Sequence, residues 1–162
     1  MYEKQLERAL ELRKVNKKQE SNQLLLQLVE EYPEDAYINY QCAWSFDVLG
    51  QELQAVPYYE KAIQQGLSGT ALEGAFLGLG STYRTLGHYE KSEKVFLEGM
   101  QLFPTNHALQ VFYAMTLYNL KKHNEAMELL LQCLAETTTD AEILSYKNAI
   151  NFYANQLDKV WK

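Results

Sequence analysis

Residue classes in this chain recur at intervals of about 34, and that recurrence limits the fold more than any other feature. The clearest unit runs from Gly78 to Pro104. Leu79, Gly80, Tyr83, Gly87, Ser92, Phe96, Gly99 and Pro104 set small and large residues at fixed places in a helix, turn, helix and stop. Thirty-four residues on, Leu79 meets Tyr113, Gly80 meets Ala114 and Tyr83 meets Leu117, while Ser92 meets Ala126, Phe96 meets Leu130 and Gly99 meets Cys133. Thirty-seven residues back, Gly80 meets Ala43, Tyr83 meets Phe46 and Gly87 meets Gly50, while Ser92 meets Ala55, Phe96 meets Tyr59 and Gly99 meets Ala62. The extra three residues fit the loop Gln65–Gly69. A further 34 back, Ala43 meets Ala9, Phe46 meets Leu12, Ala55 meets Ser21 and Tyr59 meets Leu25, and Pro33 stands where Pro104 ends a helix.

The physical chemistry supports stacked helices. Small residues at the recurring positions let two helix backbones approach, and the large ones fill the space beside them. Apolar residues fall at helical spacing, as in Leu6, Ala9, Leu10 and Leu24, Leu25, Leu28. Thr70–Glu73 and Thr139–Glu142 read as capping boxes. Pro57 is expected in or near the first turn of a helix, where its missing N–H is tolerated. Residues 140–162 carry one more apolar stripe: Ile143, Leu144, Ala149, Ile150, Phe152, Tyr153, Leu157 and Val160. The polar residues Lys147, Asn148, Asn151, Asn155 and Lys159 suit the outer face of an end cap.

The motif residues resemble the tetratricopeptide repeat (TPR), best in the third unit. The fourth unit has Lys121 where the turn glycine belongs and Thr138 where the final proline belongs, which opens its turn geometry to question. The resemblance implies an all-α, right-handed superhelical solenoid of nine helices in a single domain, residues 1–162. Its four helix-turn-helix units would span about 2–34, 36–68, 70–105 and 107–139, with a C-terminal capping helix at about 140–161. Tyr32–Trp44 and Leu79–Gly87 are also similar to a group of small bacterial TPR proteins without assigned activity. That second likeness implies a bacterial, cytoplasmic chain.

Composition narrows the function. Fifteen Lys and Arg against 21 Asp and Glu give a net charge of −6, a poor match for nucleic acid. No apolar run approaches the roughly 18 to 20 residues that span a bilayer, so no membrane partner is expected. The acidic N-terminal stretch does not read as a secretory signal. Cys42 and Cys133 fall at helix-contact positions and read as buried thiols. His88, His107 and His123 have no nearby cysteine to complete a metal set. Gly74, Gly78 and Gly80 follow no strand and lack the phosphate-loop lysine, so helix crossing explains them. The expectation is a non-enzymatic chain with no cofactor and no metal.

The TPR resemblance also implies a concave face lined by the first helix of each pair, where partner peptides or helices dock. Its exposed positions here would be Tyr37, Tyr40, Gln41, Trp44, Asp47 and Val48, then Leu77, Gly78, Ser81, Arg84 and Thr85, then Val111, Phe112, Met115, Tyr118 and Asn119. The peptide-binding set drawn from these is Tyr37, Tyr40, Trp44, Asp47, Leu77, Ser81, Arg84, Val111, Met115 and Tyr118. Tyr37, Tyr40 and Trp44 share one helix face, which suits either a binding hot spot or core packing. Asp47 and Arg84 occupy equivalent repeat positions and are expected to be neighbours, either paired with each other or setting ligand polarity. The positions that hold chaperone C-termini in some TPR proteins are Leu6, Leu10, Gln41, Gly74 and Gly78 in one frame. One unit later they are Tyr40, Trp44, Gly78, Ala108 and Phe112. Neither frame has a cation, so that mode is not expected. The expected partner is a protein or peptide. The alternative is a homodimer, formed through the groove or through Phe152, Tyr153 and Trp161.

Overall fold

The computed structural model describes residues 2–162. Ten helices and no strand occur among them: α1 (Tyr2–Lys14), α2 (Lys18–Glu31), α3 (Ala36–Asp47), α4 (Glu52–Gln64), α5 (Gly69–Thr85), α6 (Tyr89–Leu102), α7 (His107–Asn119), α8 (His123–Thr137), α9 (Ala141–Ser145) and α10 (Lys147–Tyr153). They gather into two compact units. One ends at His88 and holds α1 to α5; the other begins at Tyr89 and holds α6 to α10. In the first unit each helix packs on the next, from α1 on α2 through to α4 on α5, and α3 also touches α5. In the second, α6 packs on α7, α7 on α8, and α10 on α8. This neighbour-to-neighbour packing is how a repeat array accumulates its core. None of these helices is long and apolar enough to cross a membrane.

Four turns share one geometry. Asn16, Gly50, Gly87 and Lys121 take φ of 63°, 69°, 78° and 64°. After each, the next N–H donates back five residues: Lys17 to Leu12, Gln51 to Phe46, His88 to Tyr83 and Lys122 to Leu117, at 2.8–3.0 Å. A second bond from the turn residue itself, such as Lys121 to Tyr118 at 3.1 Å, completes the Schellman pattern that satisfies helix-end carbonyls. The fourth unit therefore keeps its turn without glycine, with a lysine held in the left-handed region.

The helix starts differ from the expected capping boxes. Among the caps formed by side chains, Asp35 accepts from the Ile38 N–H, Asn106 from Leu109, and Asp140 from both Glu142 and Ile143. The cap of α9 is thus Asp140, not Thr139. α5 begins one residue before Thr70, behind a Ser68 that makes no side-chain cap bond. An aspartate one residue further on outcompetes the threonine because its carboxylate accepts two N–H groups at once. Pro57 also lies deeper than expected, as the sixth residue of α4. Pro57 and Leu53, whose carbonyl loses its helical partner, are both exposed, where a missing bond costs least.

The recurring small residues are all buried: Ala9, Ser21, Ala43, Ala55, Gly80, Ser92, Ala114 and Ala126. Around them Leu12, Leu25, Leu28, Ile38, Phe46, Tyr59, Phe76 and Tyr83 form the first core, and Phe96, Leu109, Tyr113 and Leu117 the second. Several buried hydroxyl and amide groups pair with one another or with backbone carbonyls. Ser21 donates to the Ala9 carbonyl at 2.7 Å, Asn22 to Ser45 at 2.8 Å, and Ser92 lies 2.8 Å from Thr116. Cys42 and Cys133 are buried free thiols.

The C-terminal end departs from the expected cap. The single helix over about 140–161 breaks at Tyr146 into the short α9 and α10, and nothing helical follows Tyr153. Its apolar stripe is not buried. Leu144, Phe152, Tyr153, Leu157 and Val160 are exposed, Ile143 and Ile150 are half-buried, and Ala154 alone reaches the core. The gap shows on α8: Leu130 is 37% exposed, whereas its repeat equivalents Leu25, Tyr59 and Phe96 are at 0%, 2% and 0%.

Candidate peptide-binding surface

Helix α3 buries one face and displays the other. Ile38, Cys42, Ala43 and Phe46 enter the core, while Tyr37 and Trp44 are each 41% exposed and Tyr40 lies half-buried between them. The rings form a row: Tyr37 to Tyr40 at 6.1 Å, Tyr40 to Trp44 at 6.2 Å and Tyr40 to Tyr59 at 6.3 Å between centroids. These spacings suit tilted aromatic packing.

Two glycines of α5 make room for the row. A Cβ on Gly74 would lie 2.3 Å from the Tyr40 hydroxyl, and one on Gly78 2.4 Å from the Tyr59 ring and hydroxyl. These glycines accommodate tyrosine rings rather than a helix backbone. Tyr59 is buried, and its hydroxyl donates to Asp47 at 2.6 Å. The other Asp47 oxygen accepts from Thr82 at 3.0 Å. Asp47 therefore ties α3, α4 and α5 together. Burial pushes its carboxyl above the ordinary value, more than the two hydrogen bonds pull it down.

Gln41 is buried, contrary to the exposed position expected for it. Its side-chain oxygen accepts from Arg13 Nη2 at 2.6 Å. The Arg13 guanidinium carbon lies 3.9 Å from the centroid of the Trp44 ring, a close cation–π contact. Arg13, in the last turn of α1, did not figure in the sequence-derived set. A signal was present: Arg13 stands 34 residues before Asp47, and Asp47 stands 37 before Arg84, at one repeat position. On α5, Leu77, Ser81 and Arg84 are half-buried and Thr85 is exposed. Ser81 Oγ is sealed from solvent and makes no hydrogen bond.

The remaining expected residues belong to the second unit and form a patch on α7. Val111 and Phe112 are half-buried, Met115 is exposed, and Tyr118, more exposed still, lies 4.8 Å from the His123 ring. The Cys42 thiol is pushed up to about 12 by burial, which leaves it unreactive. Among the described residues no group of three His, Cys, Asp or Glu is placed to hold a metal ion.

Known proteins share this architecture. Superkiller protein 3 of Saccharomyces cerevisiae (strain ATCC 204508 / S288c) is 26% identical over 104 residues, covering 60% of this chain. The chain spans only 7% of the length of that curated relative. A solved structure titled "MamA RS-1 ArsTM double mutant" matches with a TM-score of 0.72, covering 93% of this chain and 83% of the other. At 11% identity that likeness concerns the fold alone. A family model described as Tetratrico peptide repeat matches residues 36–157, three of the four expected units and most of the C-terminal segment. The chain belongs to the tetratricopeptide repeat family.

Proposed function

We propose that this protein is a non-enzymatic interaction module that takes an extended segment or a helix of a partner protein on the exposed face of α3 and the adjoining face of α5. Repeats of this family generally mediate protein–protein interaction, and their scaffolds are in general non-enzymatic. The observation that supports the reading is the row of Tyr37, Tyr40 and Trp44, carried on a helix whose opposite face is fully packed. Large aromatic side chains clustered on a packed support are the kind of residue that dominates interface energetics. The buried thiols suit a reducing compartment such as the cytoplasm.

The test is affinity capture from lysate with wild type and a Tyr37→Ala/Trp44→Ala variant. A protein retained by the wild type and weakened about tenfold or more in the variant is the expected result. Equal retention by both removes α3 as the binding face.

A second reading is self-association of the C-terminal end. It is favoured by the exposed cluster of Phe152, Tyr153 and Trp161, whose rings lie 5.1–6.4 Å apart. Light scattering checks it: a monomer at high micromolar concentration eliminates the homodimer.

A further inference from the structure

Arg13 carries an unused donor in a place where unused donors are costly. Nη2 is bonded to Gln41, the Trp44 ring covers the guanidinium, and Nη1 is sealed from solvent with no hydrogen-bond acceptor. A buried polar group left unpaired is destabilising, and more so when charged. The groups that act on this charge besides burial are the tyrosines Tyr40, Tyr37 and Tyr59; no carboxylate and no second cation is among them. Arg13 makes no ion pair with any other described residue. The site therefore holds one full positive charge, unneutralised, in a chain of net charge −6.

That arrangement fits a single negative charge. A guanidinium presents five N–H donors in a rigid fork that matches a carboxylate. The Tyr37 and Tyr40 hydroxyls bond to no other described residue and offer further donors. The geometry also says how a ligand passes. Gln41, which holds Arg13, lies between the exposed Tyr37 and Trp44, which are seven residues and about 10 Å apart along α3. Apolar surface on both sides of the cation suits a chain that runs across it rather than one that ends there.

We propose that Arg13 receives the side-chain carboxylate of an Asp or Glu in the docked partner segment, flanked by apolar residues that pack on Tyr37 and Trp44. The proposal rests on the reading of α3 as the binding face. Trp44, which lies over the guanidinium, is 41% exposed, and a change of its rotamer would open a path to Nη1. The carboxylate then replaces the missing acceptor. Arg13 itself lies outside both frames of chaperone-binding positions, although Gln41 and Trp44, which hold it, belong to them.

The probe is a library of random dodecapeptides selected on the full chain. The best binders are synthesised with each Asp or Glu changed to Asn or Gln, and with free or amidated C-termini. The expected result is enrichment of one acidic position beside aromatic or aliphatic ones, with affinity falling about tenfold or more when that acid becomes an amide. Arg13→Met keeps the apolar stem, and it should bind the acidic and amide peptides equally. Should that variant lose its helical circular dichroism, Arg13→Lys serves, with the acid-to-amide difference reduced but present. Binders without an acidic position overturn the anion site and leave the α3 surface standing. Loss on C-terminal amidation alone overturns the side-chain assignment. An acid-to-amide difference that survives in Arg13→Met overturns Arg13 as the receptor. If no peptide binds, the surface and the anion site fall together.

Discussion

Helix α3 and the last twenty residues are both rich in aromatic side chains at helical spacing, and they meet opposite fates. On α3 the tyrosines and Trp44 are backed by Arg13 of α1, Tyr59 of α4 and Gly74 of α5. At the C-terminus, Phe152, Tyr153 and Trp161 lie against one another in tilted and edge-on pairs, Lys159 lies over Trp161, and all remain exposed. The difference lies in the layer behind, not in the residues. A stripe becomes core only where a neighbouring helix supplies the opposing surface, and α9 and α10 are too short to make one.

The sharpest way to break that contrast is at one repeat position. Phe96→Ala, at a fully buried site, should cost about 3–5 kcal/mol, whereas Leu130→Ala, its exposed equivalent on α8, should cost about 1 kcal/mol. Urea denaturation of the two variants measures both, and equal losses would mean that the C-terminal end is as well packed as the middle.

Next come the glycines that make room for the tyrosines. Gly78→Ala drives a methyl into Tyr59, which is buried and tied to Asp47, and should cost about 1–3 kcal/mol. Gly74→Ala meets the far end of the half-buried Tyr40, which can swing aside. The gain of about 1 kcal/mol in helix propensity should then leave it near neutral. Thermal melts of the pair separate a fixed ring from a movable one.

A smaller effect is expected from Asp47. Its folded-state carboxyl holds its proton above the ordinary value of 3.8, so its protonated form favours folding, and that contribution is lost as pH rises through the raised value. Glu93 has the opposite sign. The hydrogen bond from Lys122 lowers it, so its contribution is present above the ordinary range and fades as pH falls. Asp47→Asn should therefore gain on wild type as pH rises from the acid range toward neutral, read from urea midpoints at each pH. A constant difference between the two would show that folding does not shift the Asp47 carboxyl. Smallest of all, Phe152→Ala and Trp161→Ala should each change stability by about 0.5 kcal/mol or less.

Most of the architecture was legible because small residues at fixed intervals report a close approach that no other residue permits. Ala9, Ala43, Gly80 and Ala114 are all buried, as that logic requires. The turns were legible where glycine marked them; Asn16 and Lys121 adopt the same geometry because the packed helices on either side impose it. The end cap was misread because period alone cannot tell a covered stripe from an uncovered one. On the candidate surface, Tyr37 and Trp44 stood where the spacing put them. Gln41 did not, because the guanidinium that draws it inward comes from a helix 28 residues away. Arg13 escaped notice because the first unit carries the fewest motif residues, although the repeat register pointed to it.

The division into two units places one tryptophan in each, Trp44 in the first and Trp161 in the second. Trp44 lies against a guanidinium on a packed helix, and Trp161 beside Lys159 on an open end. The molecule thus carries two intrinsic optical reporters with different surroundings, one for each compact unit. With the other tryptophan replaced by phenylalanine, Trp161 should give an early, shallow fluorescence change on denaturation as the end frays. Trp44 should hold its emission until the first unit unfolds, in a late and steep transition.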